Sequence, residues 1–256
     1  MKNISLGHFY GRLQNKKEHY SWTGQIELTY RCNLNCIHCY CKGSEDKNNE
    51  LTTQEWKKII NEIRKEGCIW LTFTGGDPLV RDDFLEIYSY AKEKGFIITL
   101  FTNGQAFTDE IIDYLVNSPP FSIEITLNGL SKDTHESITQ TPGSFSKVVN
   151  AIGKLAEKKP KLILKTNCLK QNKYEIGKIK AFTEELIGKP FENKYYFKYD
   201  PMIYPRLNGD KTPANFRLSF EEILEVKKQD PDIWDEYQRG LHQDFPDLKR
   251  DKTFLY

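Results

Sequence analysis

No apolar run in this chain of 256 residues approaches the roughly 20 residues that span a bilayer. Its first residues, Met1-Lys2-Asn3-Ile4-Ser5, lack the apolar stretch of a secretion signal. Neither a membrane partner nor export is therefore expected. Net charge is almost absent, at +1 from 37 Lys and Arg against 36 Asp and Glu. No global field draws the protein to nucleic acid. Cysteine is sparse and uneven: there are six, and three of them fall between positions 32 and 39. That spacing is unlike a disulfide framework and points to a reducing, cytoplasmic home. The charged fraction, 29%, suits a soluble protein.

What the chain does have is the run Tyr30-Arg31-Cys32-Asn33-Leu34-Asn35-Cys36-Ile37-His38-Cys39-Tyr40-Cys41, directly after the strand-like Gln25–Tyr30. Three thiolates at C-x3-C-x2-C spacing can hold three corners of a cubane [4Fe–4S] cluster. Such a cluster normally takes four cysteines, so three leave one iron open to another ligand. A structural zinc site would call for a second C-x2-C unit or matching histidines, and no second unit follows. A thioredoxin-like redox pair at Cys36 and Cys39 leaves Cys32 without a role. Cys41 stays open as a spare ligand, a substrate-side thiol or a bystander. Cys68 and Cys168 stand alone in apolar segments and read as small buried hydrophobes.

Strand-like and helix-like segments alternate along the chain. Strands are expected over 25–30, 69–74, 97–101, 121–127, 162–166 and 195–200. Helices are expected over 52–65, from Asp82/Asp83 through Ala91, and over 108–116, 145–157 and 174–186, with a last one from Phe220. Trp56, Ile59, Ile60 and Ile63 form a helical stripe. Thr52 with Glu55, three residues on, reads as a capping box, and Ser219 as an N-cap. This alternation indicates βα repeats and a parallel sheet, wound right-handed into a barrel or a doubly wound sheet. In either case, ligand residues belong at the C-terminal ends of the strands. The basic run Lys154–Lys161 ends a helix and reads as a solvated face.

The cysteine loop resembles that of the radical S-adenosylmethionine (radical SAM) superfamily, in which this motif follows the first strand of a partial barrel. The expected fold is thus α/β, a partial (β/α)6 TIM-like barrel. The expected division is an N-terminal extension (1–23), the barrel (24–202), and a C-terminal extension (203–256). By this resemblance Cys32, Cys36 and Cys39 ligate the cluster. His38 stands where relatives often carry an aromatic packed near adenine. Thr74-Gly75-Gly76-Asp77-Pro78 resembles the motif Gly-Gly-Glu-Pro, which holds the cofactor amino group; Asp77 replaces Glu and is one methylene shorter. Thr102-Asn103-Gly104 matches a family Thr-Asn-Gly close to the cofactor, although Asn-Gly is also a common turn pair.

The stretch Ile123–Gly129, with Pro142-Gly143-Ser144-Phe145 beyond it, resembles the branch that carries a C-terminal SPASM domain. There Thr126 replaces Ser, and Asn128 replaces Asp and loses a charge. Thr139-Gln140-Thr141 occupies the place of a family Arg. Lys165, inside the fifth strand, either faces solvent or turns inward to pair with a cofactor or substrate acid. Asp200 is a further inward candidate.

The resemblance implies reductive cleavage of S-adenosylmethionine to a 5′-deoxyadenosyl radical that abstracts hydrogen from a substrate. A peptide or protein substrate is implied first, with an electron donor such as flavodoxin or ferredoxin. A small cofactor precursor of nucleotide or porphyrin type is the alternative within the superfamily, and a non-catalytic metal-binding scaffold is the alternative outside it. No cysteine follows Cys168, where the SPASM branch carries auxiliary-cluster ligands, so a chain lacking that region is expected.

Overall fold

A computed structural model describes residues 21–43, 49–187 and 196–244. Most of the expected N-terminal extension and the end of the C-terminal one lie outside the described residues. Six strands are present: β1 (Thr23–Thr29), β2 (Trp70–Gly75), β3 (Ile97–Thr102), β4 (Ser122–Thr126), β5 (Leu162–Asn167) and β6 (Phe197–Asp200). They follow chain order in one parallel sheet. Helices alternate with them: α1 (Thr53–Lys65), α2 (Phe84–Glu93), α3 (Asp109–Asn117), α4 (Lys132–Thr139), α5 (Ser144–Lys158), α6 (Ile176–Ile187), α7 (Phe220–Lys228) and α8 (Pro231–Asp244). This is the partial (β/α)6 arrangement that the resemblance implies. The chain falls into two compact units, one of residues 1–33, 41–126 and 147–163, the other of 34–40, 127–146 and 164–256.

In the first unit the strands alternate. Leu71, Phe73, Ile98, Leu100, Ile123 and Ile125, all fully buried, make one face apolar, and Thr72, Thr74, Thr99, Ser122 and Glu124 make the other polar. Register pairs Phe73 with Leu100 and Leu100 with Ile123. Trp56 and Ile60 of α1 and Phe84, Ile87 and Tyr88 of α2 are buried in the same unit. The capping box at α1 is present. The Glu55 N–H donates to Thr52 Oγ1 at 3.3 Å, and the Thr52 N–H donates to Glu55 Oε2 at 2.8 Å. Helix α2 begins at Phe84. Asp83 precedes it without capping it, because its carboxylate is taken by Arg81 at 2.7 and 2.8 Å and by the Thr53 hydroxyl at 2.6 Å.

In the second unit, Ile138, Leu169 and Ile203 form a buried cluster with Ile37 and Phe216 packed against it. Ser219 caps α7 through a box with Glu222. Asn172, wholly buried, is the polar centre of this unit. Its Nδ2 donates to the Asn128 and Asn167 carbonyls at 3.0 and 2.9 Å and to Thr166 Oγ1 at 3.2 Å, and its Oδ1 accepts the Leu169 N–H at 2.8 Å.

Candidate active site

In the first unit, the ends of β1 and β2 are laced together by their backbones. The Gly76 N–H donates to the Thr29 carbonyl at 2.7 Å, and the Asp77 N–H to the Arg31 carbonyl at 2.9 Å. This contact needs glycine. Gly75 has φ +128°, and a Cβ there would stand 2.1 Å from the Thr29 carbonyl oxygen. A Cβ on Gly76 would meet the Arg31 and Tyr30 carbonyl oxygens at 2.2 and 2.5 Å. The glycine pair is therefore seated on the residues that lead into Cys32.

Asp77 is fully buried. Its Oδ1 accepts the Leu79 N–H at 2.9 Å. Its Oδ2 accepts the Thr102 hydroxyl at 2.8 Å and the Asn103 N–H at 2.7 Å. Asn103 in turn reaches the cysteine loop: its Nδ2 donates to Cys32 Sγ at 3.2 Å and to Asn33 Oδ1 at 2.8 Å. Beside them Glu50 binds Arg31 at 3.0 and 3.1 Å and accepts the Thr29 hydroxyl. Burial works to raise the Glu50 carboxyl, but the bonds from Arg31 and Thr29 outweigh it and hold the group below its usual range.

In the second unit, the segment 34–40 is held against the end of α4. The Asn35 and Ile37 N–H groups donate to the Thr139 and Ile138 carbonyls, each at 3.0 Å. Cys36 and Cys39 bracket a tight turn in which the Cys39 N–H reaches the Cys36 carbonyl at 3.3 Å. Burial lowers the pKa of His38, between them, to about 4, partly opposed by its bond with Asn167. The ring is half-buried overall, and its buried Nδ1 has no hydrogen-bond partner. Asn128 is buried, and its Oδ1 is unpartnered. Thr126, at the end of β4, and Lys165, in β5, are each half-buried. Asp200 is exposed, and its Oδ1 accepts the Met202 N–H at 2.7 Å.

The six cysteines divide by environment. Cys32, Cys36 and Cys39 are half-exposed, whereas Cys41, Cys68 and Cys168 are buried. Burial raises the Cys68 thiol and pushes that of Cys168 up to about 12. Only a thiolate makes a good iron ligand, so the first three suit a cluster and these two do not. Cys41 Sγ lies 3.9 Å from the Gly75 carbonyl oxygen. Within the second unit, the orphaned polar atoms of His38 and Asn128 likewise fit a bound cofactor. Among the described residues, no three His, Cys, Asp or Glu side chains are gathered tightly enough to hold a single metal ion.

Sequence reasoning missed Asn172 and Thr102 as organising residues. The only local signal was that Thr102 ends β3; Asn172, five residues beyond β5, gave none. It also left His135 without a role. His135 Nδ1 accepts the Asn128 N–H at 3.3 Å, its Nε2 is buried without a partner, and burial lowers its pKa to about 4. The unfolded chain takes up this proton near pH 6.5 and the folded one near 4. Stability is therefore full above about 6.5 and drains away as pH falls toward about 4. Urea unfolding at several pH values is expected to show a loss on the order of 2–3 kcal/mol from this residue. His135→Gln should flatten that dependence while lowering stability at pH 7.

The residues of this site and the alternating strands identify the class. A family model described as the Radical SAM superfamily matches residues 26–180, and the chain belongs to that superfamily. Among characterised proteins, the chain is 34% identical over 201 residues to the AdoMet-dependent heme synthase of Methanosarcina barkeri, covering 77% of this chain and 55% of that one. It is 35% identical over 130 residues to the mycofactocin maturase of Mycobacterium tuberculosis, covering 51% of this chain and 33% of the maturase. The chain thus spans about half or less of these relatives. Among solved structures, Streptococcus suis SuiB bound to S-adenosylmethionine shares the fold at a TM-score of 0.64 and 15% identity, over 88% of this chain and 45% of that one. The same protein has been solved bound to its precursor peptide SuiA, at a TM-score of 0.59 and 19% identity, over 65% of this chain and 37% of that one. Members of the superfamily use a [4Fe–4S] cluster and S-adenosylmethionine. Among the described residues, no helix is long and apolar enough to cross a membrane.

Proposed function

We propose that this chain is the S-adenosylmethionine-cleaving part of a peptide- or protein-modifying radical enzyme. The observation that carries the cleavage reading is the seating of Gly75-Gly76-Asp77, by two backbone hydrogen bonds, on the residues that lead into Cys32. In this reading Cys32, Cys36 and Cys39 hold the cluster and leave one iron for the cofactor. When bound, the cluster would supply the one electron needed to split S-adenosylmethionine into methionine and a 5′-deoxyadenosyl radical. The chain's own residues bind, orient and shield. The glycine pair lets the backbone come close to the cofactor. His38, between Cys36 and Cys39, is assigned a packing contact beside the cofactor and no ligand role. Asn128 and Thr126 offer polar atoms at the end of β4, and Lys165 offers a cation for a carboxylate.

The barrel over 24–202 is the proposed catalytic part, with 203–256 appended to it. A flavodoxin- or ferredoxin-type donor in a reducing cytoplasm would supply the electron. The peptide substrate is supported by the maturase relative and by SuiB, which has been solved with its precursor peptide. A porphyrin substrate is the second reading, favoured by the longer match to the heme synthase.

The test is production of 5′-deoxyadenosine by the anaerobically reconstituted, reduced protein. Wild type is expected to form it, and Cys36→Ala to fall to background. Equal product from both would overturn the ligand assignment. Adding a porphyrin or a candidate precursor peptide then separates the two substrate readings by which one stimulates turnover.

A further inference from the structure

The buried carboxylate of Asp77 and the amide of Asn103 form a chain of bonds that ends on a cysteine sulfur, all within the first unit. Asp77 Oδ2 accepts the backbone N–H of Asn103 at 2.7 Å and the hydroxyl of Thr102 at 2.8 Å, while Oδ1 accepts the Leu79 N–H at 2.9 Å. These bonds fix where the turn after β3 begins. The Thr102 oxygen also accepts the Gly104 N–H at 3.1 Å. A Cβ on Gly104 would stand 3.2 Å from both Ile125 and Val148, so the turn is held on its other side too. The orientation of the Asn103 amide is not ambiguous. The Gln105 N–H donates to Oδ1 at 2.9 Å, which turns the NH2 end toward the cysteine loop. There its two protons go to Asn33 Oδ1 at 2.8 Å and Cys32 Sγ at 3.2 Å.

We propose that Asp77 is a positioning residue, holding Asn103 so that its side-chain N–H donates to the sulfur of Cys32 and makes the cluster bound there easier to reduce. This rests on the reading of Cys32 as a cluster ligand. The physical reason is charge. Reduction adds an electron that is shared onto the ligand sulfurs, and an N–H donor on such a sulfur stabilises the reduced form. The shorter Asp in place of Glu fits this role. Its carboxylate is enclosed and within reach of the β3 turn.

The test compares wild type with Asn103→Ser, Asn103→Asp and Asp77→Asn. Cluster content is read by iron analysis, midpoint potential by EPR-monitored titration, and S-adenosylmethionine affinity by equilibrium dialysis. Asn103→Ser removes the donor. Asn103→Asp keeps the acceptor for the Gln105 N–H but turns a carboxylate oxygen toward the sulfur. Both are expected to load a cluster whose reduced-to-oxidised ratio at fixed potential drops up to about tenfold, a shift of about 59 mV for one electron. Asp77→Asn is expected to move the potential the same way, by up to the same factor. Loaded variants that keep the wild-type potential would overturn the proposal. So would an Asp77→Asn protein that binds the cofactor poorly at unchanged potential, since that result makes Asp77 a direct contact. A second readout does not depend on iron. In the metal-free protein, NMR should show the Asn103 side-chain amide resonances shifting in Asp77→Asn, and no shift would also overturn the proposal. A wild-type protein that loads no cluster yet shows this shift would fail the function reading alone.

Discussion

Gly76→Ala is expected to destabilise this protein by at least about 3 kcal/mol. The added methyl would sit 2.2 Å from the Arg31 carbonyl oxygen, 2.5 Å from that of Tyr30 and 2.6 Å from the Arg31 carbonyl carbon. All three are backbone atoms, so no side chain can swing aside. Relief requires parting the segment after β1 from that after β2. That parting breaks the Gly76-to-Thr29 and Asp77-to-Arg31 hydrogen bonds at 2.7 and 2.9 Å, and it moves the backbone that carries Cys32. Two other glycines calibrate the effect. Gly95 has open space around it but φ +82°, so Gly95→Ala should lose only about 1–2 kcal/mol from left-handed strain. Gly153 lies inside α5 with open space and no left-handed backbone, so Gly153→Ala should gain about 0.5–1 kcal/mol. Urea unfolding of the three variants should therefore rank them with Gly153→Ala above wild type and Gly76→Ala last. A Gly76→Ala protein as stable as Gly95→Ala would mean that the two segments are not in contact.

Asn172→Ala is the counterpart in the second unit, with an expected loss of about 2–4 kcal/mol. The side chain is wholly buried and serves two carbonyls, one hydroxyl and one N–H. Truncation leaves all four groups short of a partner where water has little access, and each orphan costs on the order of 1 kcal/mol or more. The loss should show as a lower urea midpoint with an unchanged slope. Asn172→Asp gives a sign test. A carboxylate would face the Asn128 and Asn167 carbonyl oxygens, so the folded state would favour the protonated acid. Stability relative to wild type should then recover as pH falls. A deficit that stays constant with pH would show that the two carbonyls do not depend on this side chain.

Much of the fold was legible because its signals are local. The apolar runs of β2, β3 and β5 match the expected spans to within a residue or two. Both capping boxes, Thr52 with Glu55 and Ser219 with Glu222, form between residues three apart. Helix α4 is absent from the helices that periodicity predicts, because the residues it buries include His135 and Thr139 as well as Ile138 and so leave no apolar stripe to read. Asp83 shows the same limit at a helix start. Its carboxylate looks like a cap in sequence but is claimed by Arg81 and by Thr53, thirty positions away.

The sequence by itself determined the cysteine spacing, the βα alternation and the glycine pair at the end of the second strand, and with them the family. Residue type and near-neighbour order are enough for each of these. Only the tertiary structure decided what the charged and polar groups do. Asp77 meets Thr102 across 25 positions, and Asn103 meets Cys32 across 71. Those meetings follow from which strands lie side by side and in what register. The neutral state of His135 and the raised thiol of Cys168 likewise come from burial. Burial belongs to the packed chain, because desolvation depends on every segment that covers a group and not on its neighbours in sequence.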